Sequence, residues 1–173
     1  MRRVEDGVHL PRPELCLAVP PEADAPTLPD GPDDRTLAYI EQARPVFGAI
    51  SSISGQLSGL LILAASGARS AQGHPIFAMI EEAAEALEGA MAALRPTEAA
   101  AHHHRHLRRA ARAVARAVSF AARGLHKQDE ARMDAMVAAL RAANQELQWA
   151  TAALPGFAVV DLRQACCAMH SGR

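Results

Sequence analysis

The sequence predicts an all-α protein: an antiparallel up-down four-helix bundle with an extended N-terminal arm and a short C-terminal helix. Three observations carry this expectation. Alanine accounts for 39 of the 173 residues, and alanine loses the least side-chain freedom on becoming helical. Half of the chain is hydrophobic but only 3% is aromatic, and β-branched residues are sparse, so strand formers are scarce. Apolar residues recur at three- and four-residue steps in four successive stretches punctuated by proline or glycine.

The arm comes first. Seven of the eleven prolines lie in the first 32 residues. Proline fixes φ and removes a backbone donor, so residues 1–33 read as an extended or disordered arm. Its one apolar run is Leu15-Cys16-Leu17-Ala18-Val19, a strip able to dock on the body. Residues 34–173 form the helical bundle domain. Met1-Arg2-Arg3 is basic, but no apolar run of signal-peptide length follows. The expected setting is cytoplasmic, with three free thiols rather than a disulfide framework.

Helix 1 is expected over 34–66, with Pro45 either opening its regular part or kinking it. Val46, Ile50, Ile53, Leu57, Leu60 and Ala64 make one stripe. Gly48, Ser52, Gly55 and Gly59 make a second stripe of small residues, along which another backbone can come close. No charged residue occurs between Arg44 and Arg69. Such a helix is buried on most sides, either in a bundle or in a dimer interface. The alternative is a transmembrane helix with Gly55-x-x-x-Gly59 as its dimer seam, since roughly 20 apolar residues span a bilayer. Gln56 and four serines in the run count against it.

Helix 2 is expected over 75–95, with Ile76, Ile80, Ala83, Leu87, Met91 and Leu94 on one face and Glu81, Glu82, Glu85 and Glu88 on another. Helix 3 is expected over 97–124, capped by Thr97, with Leu107, Ala111, Val114, Val118, Ala121 and Leu125 as its stripe. Arg105, Arg109, Arg112, Arg116 and Arg123 form a basic line beside that stripe. Helix 4 is expected over 129–154 on Met133, Val137, Leu140, Ala143, Leu147 and Leu154. Gly124 suits a C′ position between them; a continuous helix over 97–154 is the alternative and would favour a swapped dimer. After Pro155-Gly156, Val159, Leu162, Cys166 and Met169 are spaced for a short helix at 162–170.

Short loops make neighbouring helices antiparallel. That pairing brings Glu88 towards Arg105, Glu85 towards Arg108 or Arg109, and Glu81 towards Arg112. The basic line then has internal partners, and with a net charge of -1 no nucleic-acid partner is expected.

One local pattern suggests chemistry. In His102-His103-His104-Arg105-His106, His102 and His106 are four apart and project from one helical face. Cys166 and His170 are also four apart, and the topology places them at the same end of the bundle. His102, His106, Cys166 and His170 together would suit zinc or another transition metal. Otherwise the cluster is a solvent-facing, basic first turn. His74 and His126 belong to the opposite end. Other signatures fail: Glu98 to His102 is one residue too long for a ferritin-like di-iron motif, Cys166-Cys167 is misplaced for covalent haem, and neither a phosphate-cradling loop nor a nucleophile elbow occurs. Trp149 lies off the helix 4 stripe, as a contact for the arm or short helix or as an exposed anchor.

The expected function is therefore a non-enzymatic interaction protein, an adaptor, chaperone or small regulatory subunit. It would bind a protein partner or a second copy of itself through helix 1, and it carries no cofactor in that reading. A metal-binding or metal-sensing bundle is the first alternative. A membrane-attached small subunit is the second.

Overall fold

The computed structural model describes residues 31–66, 74–127 and 129–157. Residues 1–30 of the expected arm and the short helix at 162–170, including Cys166 and His170, lie outside the described residues. Four helices make up the described chain: α1 Asp34–Ala65, α2 Ile76–Ala93, α3 Ala101–Lys127 and α4 Glu130–Ala153. They pack as an all-α bundle with no strand among the described residues.

α1 starts at Asp33, whose carboxylate accepts the Thr36 backbone N–H at 2.7 Å, as an N-cap oxygen does. The helix passes through Pro45 without ending. Proline there removes the hydrogen bond to the Glu41 carbonyl, and both residues lie on the exposed side, where water can replace it. Val46, Ile50, Ile53, Leu57 and Leu60 are buried as the periodicity predicts. The buried stripe also extends backward through Ala43, Ile40, Tyr39 and Thr36.

α3 and α4 make the most extensive helix pair. Early α3 meets late α4, where His106 bonds Glu146 at 2.6 Å. Late α3 meets early α4, where a Cβ on Gly124 would stand 3.0 Å from the Arg132 Cβ. The two helices therefore run in opposite directions. Their seam is built from small side chains, Ala110, Ala113, Ala117 and Ala121 on α3 against Ala139, Ala143 and Ala150 on α4, all buried. Alanine is useful here because it brings two backbones together without losing helix propensity.

The break between α3 and α4 is real, but three residues later than expected. Gly124 is helical and lacks a positive φ. It is small because α4 crosses it, not because the chain turns there. The turn comes at Asp129, whose side chain accepts from Arg132 N at 3.2 Å and pairs with the Arg132 guanidinium at 2.9 Å. α3 likewise starts at Ala101 rather than 97. Thr97 still accepts from Ala100 N at 3.3 Å, but it caps a turn that leads into the helix. On α4 the inward stripe is Met136, Ala139, Leu140, Ala143, Leu147 and Ala150. Met133 and Val137 lie half-buried at its edge.

After α4 the chain turns at Gly156, whose φ of +98° is a left-handed conformation that favours glycine. The turn brings Phe157 back onto Phe47 of α1, with ring centroids 5.3 Å apart. The start of α1, the start of α3 and the end of α4 thus share one end of the bundle.

Candidate functional site

Two regions stand out, a small-residue face on α1 and a histidine cluster at the start of α3.

Gly48, Ser52, Gly55 and Gly59 are all exposed. A Cβ built on Gly48, Gly55 or Gly59 meets nothing within 4 Å. Among the described residues the small stripe is thus open, although the apolar stripe of the same helix is fully packed. Ser51, Ser54 and Ser58 donate their hydroxyls to the carbonyls of Phe47, Ile50 and Ser54 at 2.8–3.1 Å. Those polar groups are satisfied within the helix, which lowers the cost of covering this face. Further along, Ile62 is 71% exposed and Leu63 is also exposed; on α2, Met79 is 63% exposed. Asp34–Ala65 is long and apolar enough to cross a membrane by length and composition, and a third of its most apolar stretch is buried.

The four histidines divide by helical angle. His103 has no exposed surface and lies in the core. Its Nδ1 is 2.9 Å from the Tyr39 hydroxyl, and its ring stacks on Phe157 at 4.2 Å. Its Nε2 has no partner among the described residues. Burial, reinforced by His104 and His106, pushes its pKa down to about 4, so it is neutral near pH 7. Burial also raises the Tyr39 phenol well above its ordinary value. A solvent-facing first turn is therefore incorrect for this residue. The reason was legible: His103 stands four residues before Leu107 and continues the α3 stripe backward.

His102 is exposed and His106 is buried. Their Nε2 atoms are 3.0 Å apart. Glu146 holds the other nitrogen of His106, Nδ1, at 2.6 Å, while its second oxygen lies 3.9 Å from Arg109. Burial first, then His106, Arg105 and Arg109, lower the pKa of His102. Trp149 covers His106 with ring centroids 5.5 Å apart. The indole off the α4 stripe thus has a partner that sequence reasoning did not foresee. Glu146 was missed as well. It stands three residues after Ala143 on the flank of the α4 stripe, a position read by default as solvated. His104 turns towards α2, and its pKa is lowered by burial and then by Arg108.

The expected Glu–Arg ladder between α2 and α3 is absent. Among the described residues the ion pairs are Arg109–Glu146 and Arg132–Asp129, with Glu146 also bonded to His106. A groove separates the two helices instead, with Leu87, Met91 and Ala111 among its lining residues beside Glu88, Arg108 and Arg112. The charged groups of the two helices line the groove without pairing across it.

Of the four expected metal ligands, His102 and His106 are together, and Cys166 and His170 lie outside the described residues. Among the described residues no three His, Cys, Asp or Glu side chains gather to hold an ion. Among the described residues the second nitrogen of His106 faces the His102 imidazole and no hydroxyl or thiol. No protein-family model matches the chain, and neither a curated protein nor a solved structure is significantly similar to it.

Proposed function

We propose that the protein is a non-enzymatic interaction module that packs the small face of α1 against a second copy of the same helix. One observation carries the reading: Gly48, Ser52, Gly55 and Gly59 line up on an exposed face with no neighbour among the described residues, on a helix whose opposite face is fully packed. Four small residues at helical spacing are an expensive choice for an exposed surface, because each glycine costs up to about 1 kcal/mol of helix propensity relative to alanine. A backbone approaching closely along the stripe gives those glycines a use. The face is uncharged along its whole length, so it has no repulsion to overcome in meeting itself. A two-fold axis through Ser52–Gly55 would set the same stripe against itself.

A membrane span is less well supported. Tyr39 through Leu60 supply one wall of the bundle core, and placing α1 in lipid would remove that wall from α2, α3 and α4.

The test is a cross-link. Ser52→Cys should form a disulfide-linked dimer on mild oxidation, beyond any background from Cys16, Cys166 and Cys167 in the parent chain. Glu85→Cys, on the exposed side of α2, should not. Equal cross-linking at both positions would contradict the reading.

A further inference from the structure

We propose that His102 and His106 form a binding site for a transition-metal dication of the zinc type, with Glu146 as the outer carboxylate that orients His106. This is independent of self-association through α1.

The argument begins with tautomers. An ionised carboxylate only accepts hydrogen bonds, so Glu146 requires the hydrogen of His106 to sit on Nδ1. The neutral ring then presents its lone pair at Nε2. That nitrogen points at the Nε2 of His102, 3.0 Å away. A carboxylate bonded behind a ligating imidazole fixes the ring and strengthens it as a donor. In the protein alone, the two facing nitrogens can satisfy each other only by holding one proton between them. A bound metal ion accepts both Nε2 lone pairs, and His102 then carries its one hydrogen on Nδ1.

The distances suit the exchange. Two imidazole nitrogens about 2.05 Å from a tetrahedral zinc stand about 3.3 Å apart. The pair is a few tenths of an ångström tighter than that, and His102, being exposed, has the freedom to open it. His106 is anchored by Glu146 and covered by Trp149, so the ion arrives from the His102 side. Arg105 and Arg109 oppose a cation there, but Arg109 is directed towards the Glu146 carboxylate at 3.9 Å. His102 and His106 are the two donors among the described residues, and a tetrahedral ion takes its remaining donors from water or from other side chains.

The experiment uses the full chain and zinc chloride alone, read by thermal unfolding and by titration calorimetry near neutral pH. Zinc should raise the melting temperature, by linkage to the folded state, and a chelator should reverse the shift. His102→Ala should abolish the binding; it removes an exposed side chain and should leave the fold intact. Glu146→Gln should weaken affinity 10–100-fold. His74→Ala, on an exposed residue away from the pair, should bind as the parent does. No binding by the parent chain, or binding by His102→Ala equal to the parent's, would overturn the proposal. Should His106→Ala fail to fold, the His102→Ala result still decides.

Discussion

The two halves of α1 meet opposite conditions. Its first half, from Thr36 to Phe47, enters a core that contains polar groups: the Thr36 hydroxyl bonds that of Thr97 at 2.8 Å, and Tyr39 meets His103 at 2.9 Å. Its second half, from Gly48 to Ala65, packs one apolar stripe and leaves a second, small face uncovered. A buried polar pair is directional and fails when one member is lost. An uncovered small face gains stability when a methyl is added, unless something else must occupy the space. The first half therefore specifies the monomer, and the second half is available for assembly. Mutations and pH should separate the two.

The largest expected effect is acidification. The fold holds His103 neutral, with its pKa near 4, whereas the unfolded chain takes up that proton near 6.5. Between those values the unfolded state binds more protons, so stability falls as pH falls. The loss should approach about 3 kcal/mol by pH 4. Denaturant midpoints measured across pH 7 to 4 should show it, and His103→Phe should flatten the profile. A profile just as steep in His103→Phe would assign the acid sensitivity to other groups.

Next in size is the Tyr39–His103 pair itself. Tyr39→Phe leaves the His103 Nδ1 buried and unpaired, and should cost about 1–3 kcal/mol. Adding His103→Phe removes both orphaned polar groups and should restore most of that loss. Additive single-mutant effects would mean that the two side chains do not act as a pair.

The smallest effects compare two glycines. Gly124→Ala places a Cβ 3.0 Å from that of Arg132, and this crowding should outweigh the gain in helix propensity, for a net loss of about 1 kcal/mol. Gly55→Ala enters open space and should stabilise the isolated fold by about 0.5–1 kcal/mol. The same substitution should weaken self-association. Thermal melts at low protein concentration, set beside sedimentation at high concentration, would resolve the two opposing effects.

Much of this was legible in the sequence. Residues of α1 from Val46 to Leu60 alternate in a strict three- and four-step rhythm that only a helix buries on one side. The end at Pro155-Gly156 follows from backbone chemistry. What was hidden depended on neighbours. Gly124 looks like a C-cap in isolation, and only the crossing of α4 gives it another purpose. The glutamates of α2 and arginines of α3 have the right order for a ladder, but their pairing depends on side-chain directions across the groove, which spacing along the chain does not carry. His103 could have been found by extending the α3 stripe back one turn from Leu107. Glu146 could not, because its partner is 40 residues away and nothing local distinguishes it from the solvated carboxylates of α2.

The central claim is that the small face of α1 is an assembly surface. The most direct measurement is the native mass of the full chain, with and without Gly55→Leu, together with helicity from circular dichroism. Gly55→Leu should find room in the isolated fold but block close approach of a second helix. The account predicts a dimer for the parent chain and a monomer of unchanged helicity for the variant. A parent chain that stays monomeric at high concentration, or a dimer that survives Gly55→Leu intact, would contradict it.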